Sequence, residues 1–463
     1  MQNAELPITY GRIADLPADP LIRLRAQYEA HGDLSVFQDG HRQYVFAFGP
    51  EHNKRILSDP DTFHSCFFVT RGSKRSAQRR LSSGLLSMNG AEHRLHRRRV
   101  MEPFKPQAFA GYVEPISRMI GDLLDGWTPG ETRDLQDEMV RFMLRTTSSI
   151  LFGFDQPDRT ERIGQMTHDW VELSHEVGAS AFGFDDVGYE DYDRLLALAG
   201  ELEHEIADLL RMRRESQGDG HDVLSILVRL HDEDGALSEA ELIGHTALLF
   251  AAAHLTTSHT LTWTLLLLAQ HPEVASALCA EIDDVLGDRP GRLDDLGQLP
   301  LLDRVVKESM RVLPASAYVQ RLSTRPVEFG PFSLPQGTVF VFSQFITHHM
   351  HELYEEPERF LPDRWLSINP TPYTYLPFGA GPRMCIGGPL ALVIVKLTIP
   401  AILQRFRLEV VPDAAINAAV VATMLAPTGA VPMRVNNRSA PFRTNPTSGN
   451  IHELVEFSPA AVV

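Results

Sequence analysis

Along most of this chain, apolar residues recur every three or four positions, with short polar interruptions, and that period predicts a helix-rich protein. The pattern is clearest over residues 106–127, 132–152, 189–215, 223–232 and 238–270. Strand-like alternation is confined to short runs, at 44–48 early in the chain and at 327–329, 338–342 and 406–411 late in it. Polar breaks near 155–162, 215–222 and 287–295 read as loops between helices. The longest periodic run has clear ends. Ser238 followed by Glu241 is a capping-box start, and His271-Pro272 stops the helix because proline disfavours helical backbone in the residue before it. A helix of about 30 residues spans roughly 45 Å, enough to cross the centre of a domain. After Arg438 the composition turns to Ser, Pro, Asn and Thr. Residues 1–438 are therefore expected to form the functional domain, and 439–463 a poorly ordered or surface-draped extension.

Composition narrows the class. The 463 residues are 43% hydrophobic, which suits a globular enzyme with a large core. A formal charge of −17 argues against nucleic-acid binding. The start has no basic region followed by an apolar run, and no stretch near 20 residues is free of polar groups, so neither a signal peptide nor a membrane anchor is expected. Three cysteines (Cys66, Cys279 and Cys385) suit a reducing cytoplasm. Against the acidic background, Lys74, Arg75, Arg79, Arg80, Arg94, Arg97, Arg98 and Arg99 crowd one region. They suit an acidic protein partner, cofactor carboxylates or a solvated helix face.

The richest chemistry lies in Phe378-Gly379-Ala380-Gly381-Pro382-Arg383-Met384-Cys385-Ile386-Gly387. It combines one thiol, three glycines and one cation. A metal-binding thiolate needs nearby positive charge and backbone amides aimed at sulfur, and glycines let the chain approach a flat cofactor. With no second cysteine or histidine at ligand spacing, zinc is disfavoured, whereas a haem supplies its own remaining ligands. The segment resembles the cysteine-ligand loop of the cytochrome P450 family, with the pattern Phe-x-x-Gly-x-Arg-x-Cys-x-Gly matched at every fixed position, Phe378 and Gly387 included.

That resemblance implies a mainly α-helical P450 fold with a small β portion, haem b held through the Cys385 thiolate, and roles for other residues. Glu308 and Arg311, three apart and on one helical face, match the family's Glu-x-x-Arg element. By alignment to Phe-x-Pro-x-Arg-(Phe/Trp), Arg364 completes a structural network on the thiol side, with Arg359 the competing choice. His93, Arg97, Arg321 and Arg383 match propionate-binding positions. His93 with His96 also reads as a surface pair or a zinc site, and in the cluster His348, His349 and His351 only His348 fits the family pattern.

The oxygen side departs from the family. In Ala252-Ala253-His254-Leu255-Thr256-Thr257, the small residues are kept, and Thr256 matches the threonine that hydrogen-bonds oxygen at the haem. The acid that normally precedes it and relays protons is Leu255, which cannot titrate. Three readings stand: water, His254 or a substrate group supplies the relay; peroxide is used directly; or the reaction needs no oxygen activation. Thr256, Thr257 and His254 are the catalytic candidates, although His254 also reads as a packed helix residue. By resemblance, Leu86, Met88, Phe250, Ala253, Ala317, Tyr318, Val319, Met424 and Leu425 line a mostly apolar substrate pocket. The implied activity is insertion of one atom of O2 into a C–H or C=C bond of an apolar small molecule. Electrons would come from NAD(P)H through a separate ferredoxin or flavodoxin-type donor, which Arg94, Arg98 and Arg99 help to dock. The alternatives are a haem-thiolate peroxygenase, isomerase or dehydratase.

Overall fold

The computed structural model describes residues 8–13, 19–66, 70, 72–153, 157–180, 189–215, 222–232 and 237–458. The long helix is present as Glu239–Gln270. Its start is closed by the reciprocal Ser238–Glu241 box, with Glu241 Oε2 accepting from the Ser238 amide at 2.6 Å. His271 caps its end, and Pro272 opens the helix Pro272–Leu286. The central helix is buried on nearly every side, which follows from its composition: Leu, Ala, Thr and Trp occur around the whole cylinder and not on one stripe. It packs most extensively against Leu135–Phe152, and also against Pro157–Ser180, Pro300–Val312 and Gly388–Arg405. One apolar cluster runs continuously from Leu21 to Val455 through these helices.

Most predicted elements appear within a few residues of expectation, as Pro106–Asp125, Leu135–Phe152, Tyr189–Glu215 and Val223–Asp232. Residues 132–134 are not helical; they form the strand Thr132–Asp134, because Pro432–Asn437 offers them a partner. The polar break at 155–162 falls largely inside the helix Pro157–Ser180, where a first-turn proline and Asp158 are favourable. Most of the break at 215–222 lies outside the described residues.

The strands form a six-stranded mixed sheet in the order Ile8–Tyr10, Leu34–Asp39, Arg42–Ala47, Val339–Phe342, Val319–Ser323 and Phe63–Ser65. Its register places Arg321 opposite both Ser65 and Phe340. A second sheet joins Phe406–Val410, Pro432–Asn437 and Thr132–Asp134, and Ala418–Val421 pairs with Met424–Pro427 as a hairpin. One described helix, Gly388–Arg405, is long and apolar enough to cross a membrane, and it is mostly buried in the core.

The expectation of a poorly ordered extension is corrected for residues 439–458. Thr447–Ser448 pairs with Ala414–Ala415, and Ile451, Leu454 and Val455 are buried. Three apolar side chains spaced along a polar segment suffice to seat it, a signal that its Ser/Pro/Asn content masks.

The segment Leu85–Ser87 meets the central helix through two glycines. A Cβ on Gly84 would strike the Gly244 carbonyl, and one on Gly244 would strike that of Arg80. Backbone therefore lies directly on backbone at this crossing.

The core holds neutral histidines. Burial lowers His245, His254, His259 and His348 to about 4, 3, 4 and 3. An unfolded chain binds protons at these side chains near about pH 6.5 while the native state refuses them, so stability is complete above that pH and is lost as pH falls. The denaturant midpoint should stay level from about pH 8 to 7 and drop steadily from about pH 6.5 towards 4. A midpoint unchanged between about pH 6.5 and 5 would contradict the assignment.

Candidate active site around Cys385

The loop that carries Cys385 is built by glycine geometry. Gly379 and Gly381 adopt φ of 68° and 70°, a region that disfavours side chains. At Gly381 a Cβ would also run into the Leu57 carbonyl, so no other residue fits. The turn closes through the Cys385 amide, which donates to Phe378 O at 2.9 Å, and the Met384 amide, which donates to Gly381 O at 3.0 Å. The helix Gly388–Arg405 then begins at once. Its first amides, from Gly387 and Gly388, donate to the sulfur, where the positive end of the helix favours a thiolate. The sulfur remains accessible, yet protein flanks it closely enough that desolvation raises the thiol, against the pull of those amides and of Arg97.

Cations gather beside this loop. Arg383 donates to Met88 O at 2.6 Å and Leu86 O at 3.1 Å, which pins the segment before helix Gly90–Val100. Arg97 donates to Met384 O at 2.6 Å. Arg321 is 7% exposed; among the described residues its guanidinium donates only to its neighbour's carbonyl, Gln320 O, and it lies 5.5 Å from the Phe342 ring centre. Burial depresses Arg321 and Arg383 to about 10, and Arg383 also feels Arg321 and Arg97. His93 falls to about 4, through burial first and the arginines around it second. Among the described residues, no carboxylate pairs with His93, Arg97, Arg321 or Arg383. A buried cluster of positive charge without acids is costly unless an anion joins it. The two propionates of a haem are such anions, so the residues present fit the group.

Behind the loop stands a fully buried ion pair. Glu308 and Arg311 join through two parallel bonds of 2.9 and 3.0 Å, both side chains 0% exposed. Arg364 Nε, Trp365 Nε1 and the Leu361 amide add three further donors to Glu308, at 2.8, 2.9 and 3.0 Å. Arg359 instead pairs with Glu356 at the surface, so Arg364 is the third member. Trp365 stands at the last position of the same short motif, the sequence signal that marks it. Arg311 also donates to the carbonyls of His348, Pro357 and Arg359. His348 accepts the Leu376 amide on Nε2 at 2.8 Å, which leaves Nδ1–H to donate to Arg311 O at 3.2 Å. The helix Pro300–Val312 is thus wired to the residues just before Phe378.

The central helix is accessible on one narrow strip. Ala252 is exposed, and Ala251, Ala253 and Thr256 are half-buried, in a helix otherwise largely buried. Thr256 Oγ1 donates to Ala252 O at 3.0 Å, so its lone pairs remain free to accept. Thr257 donates to Ala253 O and is buried. His254 is corrected as a catalytic candidate. It lies on the far side of the helix, fully buried, 3.1 Å from His168 and 3.2 Å from the Phe250 carbonyl. Leu255 is core.

Pocket expectations divide. Leu86, Ala253, Val319 and Met424 are partly accessible, whereas Met88, Phe250, Ala317, Tyr318 and Leu425 are buried. Phe250 is corrected as a lining residue: it stacks on Phe152 at 5.5 Å on the side of His254. Ala317 and Leu425 contribute through their backbone, since the Ala317 amide bonds Thr423 O and the Leu425 amide bonds Ala315 O.

Comparison with known proteins bears on the family and the fold. The family model described as cytochrome P450 matches residues 12–428. The chain is 31% identical over 404 residues to cyclooctat-9-en-7-ol 5-monooxygenase of Streptomyces melanosporofaciens, covering 84% of this chain and 86% of that protein. It is 28% identical over 419 residues to pentalenene oxygenase of Streptomyces avermitilis, covering 88% and 91%. Its fold matches the haem domain of cytochrome P450DA with a TM-score of 0.79 at 22% identity, covering 94% and 98%.

The buried pair yields a sharp contrast in denaturant titrations. Glu308→Gln or Arg311→Ala leaves an uncompensated buried charge and should cost about 3–5 kcal/mol, whereas Arg359→Ala should stay within about 0.5 kcal/mol of the parent. Arg364→Ala should fall clearly on the destabilised side; equal effects at Arg359 and Arg364 would refute the assignment.

Proposed function

The chain belongs to the cytochrome P450 family of haem-dependent monooxygenases, and from that premise we propose that it oxygenates a largely apolar, neutral terpenoid. The observation that carries the haem assignment is the acid-free set of His93, Arg97, Arg321 and Arg383 beside an accessible, amide-bonded Cys385. The substrate class is supported by two relatives whose names specify cyclooctat-9-en-7-ol and pentalenene as substrates, and by the small, uncharged strip Ala252, Ala253 and Thr256.

When bound, the haem supplies oxygen activation, and a cysteine thiolate on its iron favours O–O cleavage. The chain's own residues do the rest. The Cys385 thiolate, bonded by the amides of Gly387 and Gly388, would hold the haem iron. His93, Arg97, Arg321 and Arg383 would hold the propionates. Ala252 and Ala253 keep the helix low enough to admit a bulky hydrocarbon. Thr256 Oγ1, its own proton committed to Ala252 O, keeps lone pairs that would accept a hydrogen bond from a water on this strip. With Leu255 in the core and His254 facing His168, that water or a substrate hydroxyl supplies the proton. Electrons arrive from NAD(P)H through a separate ferredoxin or flavodoxin-type protein. Arg98 is exposed for its docking, while Arg94 already pairs with Asp61. A cytoplasmic setting is supported by the scarcity of cysteine and by the bacterial relatives. The absence of a titratable side chain at 255 favours one second reading, direct use of peroxide.

Cys385→Ser should abolish the strongly red-shifted Soret band of the ferrous carbon monoxide complex; its persistence would sink the ligand assignment. Thr256→Ala removes one hydrogen bond, worth about 0.5–1.5 kcal/mol, and should lower product formed per NAD(P)H by up to roughly tenfold while NAD(P)H consumption continues. Turnover with peroxide that exceeds partner-driven turnover on a terpenoid panel would favour the second reading.

A further inference from the structure

The family match ends at residue 428, yet the chain continues through a well-seated segment that returns to the strand Ala414–Ala415 and the hairpin after it. Its Asn450 grips the base of the hairpin Ala418–Val421/Met424–Pro427. Asn450 Oδ1 accepts the Ala418 amide at 2.7 Å, and Asn450 Nδ2 donates to the Ala418 carbonyl at 2.8 Å. One side-chain amide thus takes both backbone groups that Ala418 turns outward, as a third strand would, and this fixes the amide's orientation. The Asn450 amide donates to Asn417 Oδ1 at 3.0 Å, and the Ile416 amide to Ser448 O at 2.8 Å. Gly449, at φ 100°, lies so close to the Ile416 carbonyl that a Cβ would collide with it.

The far end of the segment is anchored elsewhere. The Glu456 amide donates to Glu358 O at 2.9 Å, Arg25 donates to Glu453 O at 2.7 Å, and Ile451, Leu454 and Val455 sit in the core. Glu358 lies between Pro357 and Arg359, whose carbonyls receive Arg311. A two-stranded hairpin is marginal alone. This one is tied at its tip to residues 315–317, by Thr423 O to the Ala317 amide and by the Leu425 amide to Ala315 O. At its base it is tied to Asn450.

We propose that residues 447–457 are a positioning strap, and that Asn450 sets where the hairpin tip with Met424 stands, hence how large a ligand the site accepts. This deepens the reading above, because it rests on the hairpin tip being a wall of the substrate site. Loosening the base would make a bulky ligand order the wall as it binds, while a small ligand would not touch it.

The test uses full-length holoenzyme and two azoles that ligate ferric haem, imidazole and the bulky N-tritylimidazole, followed by spectral titration. In Asn450→Ala, the Kd for imidazole should stay within about twofold and that for N-tritylimidazole should weaken by roughly fivefold or more. Asn417→Ala, which removes a single bond, should shift the same ratio in the same direction and keeps the test open if Asn450→Ala retains no haem. Ile116→Val, in the buried face of another helix, serves as a control that lowers stability without touching the hairpin. Unchanged discrimination in both asparagine variants, parallel weakening of imidazole, or an equal shift in Ile116→Val would overturn the proposal. Parent enzyme that gives no spectral shift with imidazole would instead overturn the haem reading, and the wall with it.

Discussion

A carboxylate with no access to water organises the thiol side of this molecule. Glu308 is tolerable there only because five donors surround it, two from Arg311 and one each from Arg364, Trp365 and Leu361. Each donor commits a piece of chain. Arg311 gathers three carbonyls from residues 348–359, His348 bonds Leu376, and Tyr375 donates to Lys307 O at 3.0 Å. The position of Cys385 is therefore inherited from a buried charge several segments upstream. Buried pairs are poor sources of net stability, but they are strict about geometry, and geometry is what a metal-ligating sulfur needs.

The two sides of the site use opposite physics. On the thiol side, positive charge is concentrated and, among the described residues, left without paired acids, at a cost visible in the lowered Arg321, Arg383 and His93. On the side of the central helix, charge is absent, and the hydroxyls of Thr246, Thr256, Thr257, Thr260, Thr262 and Thr264 are all folded back onto carbonyls of their own helix. Such back-bonding weakens a helix slightly and permits bending. On the strip around Ala252, Thr256 is the side chain that carries a hydroxyl.

Much of this could be read from residue spacing, and the failures have physical causes. The capping box, the proline stop, the glycine loop and the Glu308–Arg311 pair are local rules, and each appears where the spacing places it. Arg364 was separable from Arg359 only by motif alignment; the structure adds the reason, since Arg359 turns outward to Glu356. Phe250 falls off the strip, and His254 takes the packed of its two readings, because adjacency in sequence hides rotation about the helix axis: two residues before Thr256 is more than half a turn away. The helix Pro157–Ser180 begins with polar residues that resemble a loop until their first-turn role is considered. The C-terminal segment was misjudged because three well-spaced apolar residues outweigh its polar average.

The meeting of Gly84 with Gly244 carries a lesson for redesign. Two main chains touch there without side chains between them, so that crossing behaves as a fixed seam and not as an adjustable spacer. Attempts to reshape the chamber by adding bulk at either glycine would prise the roof from its beam before enlarging anything useful.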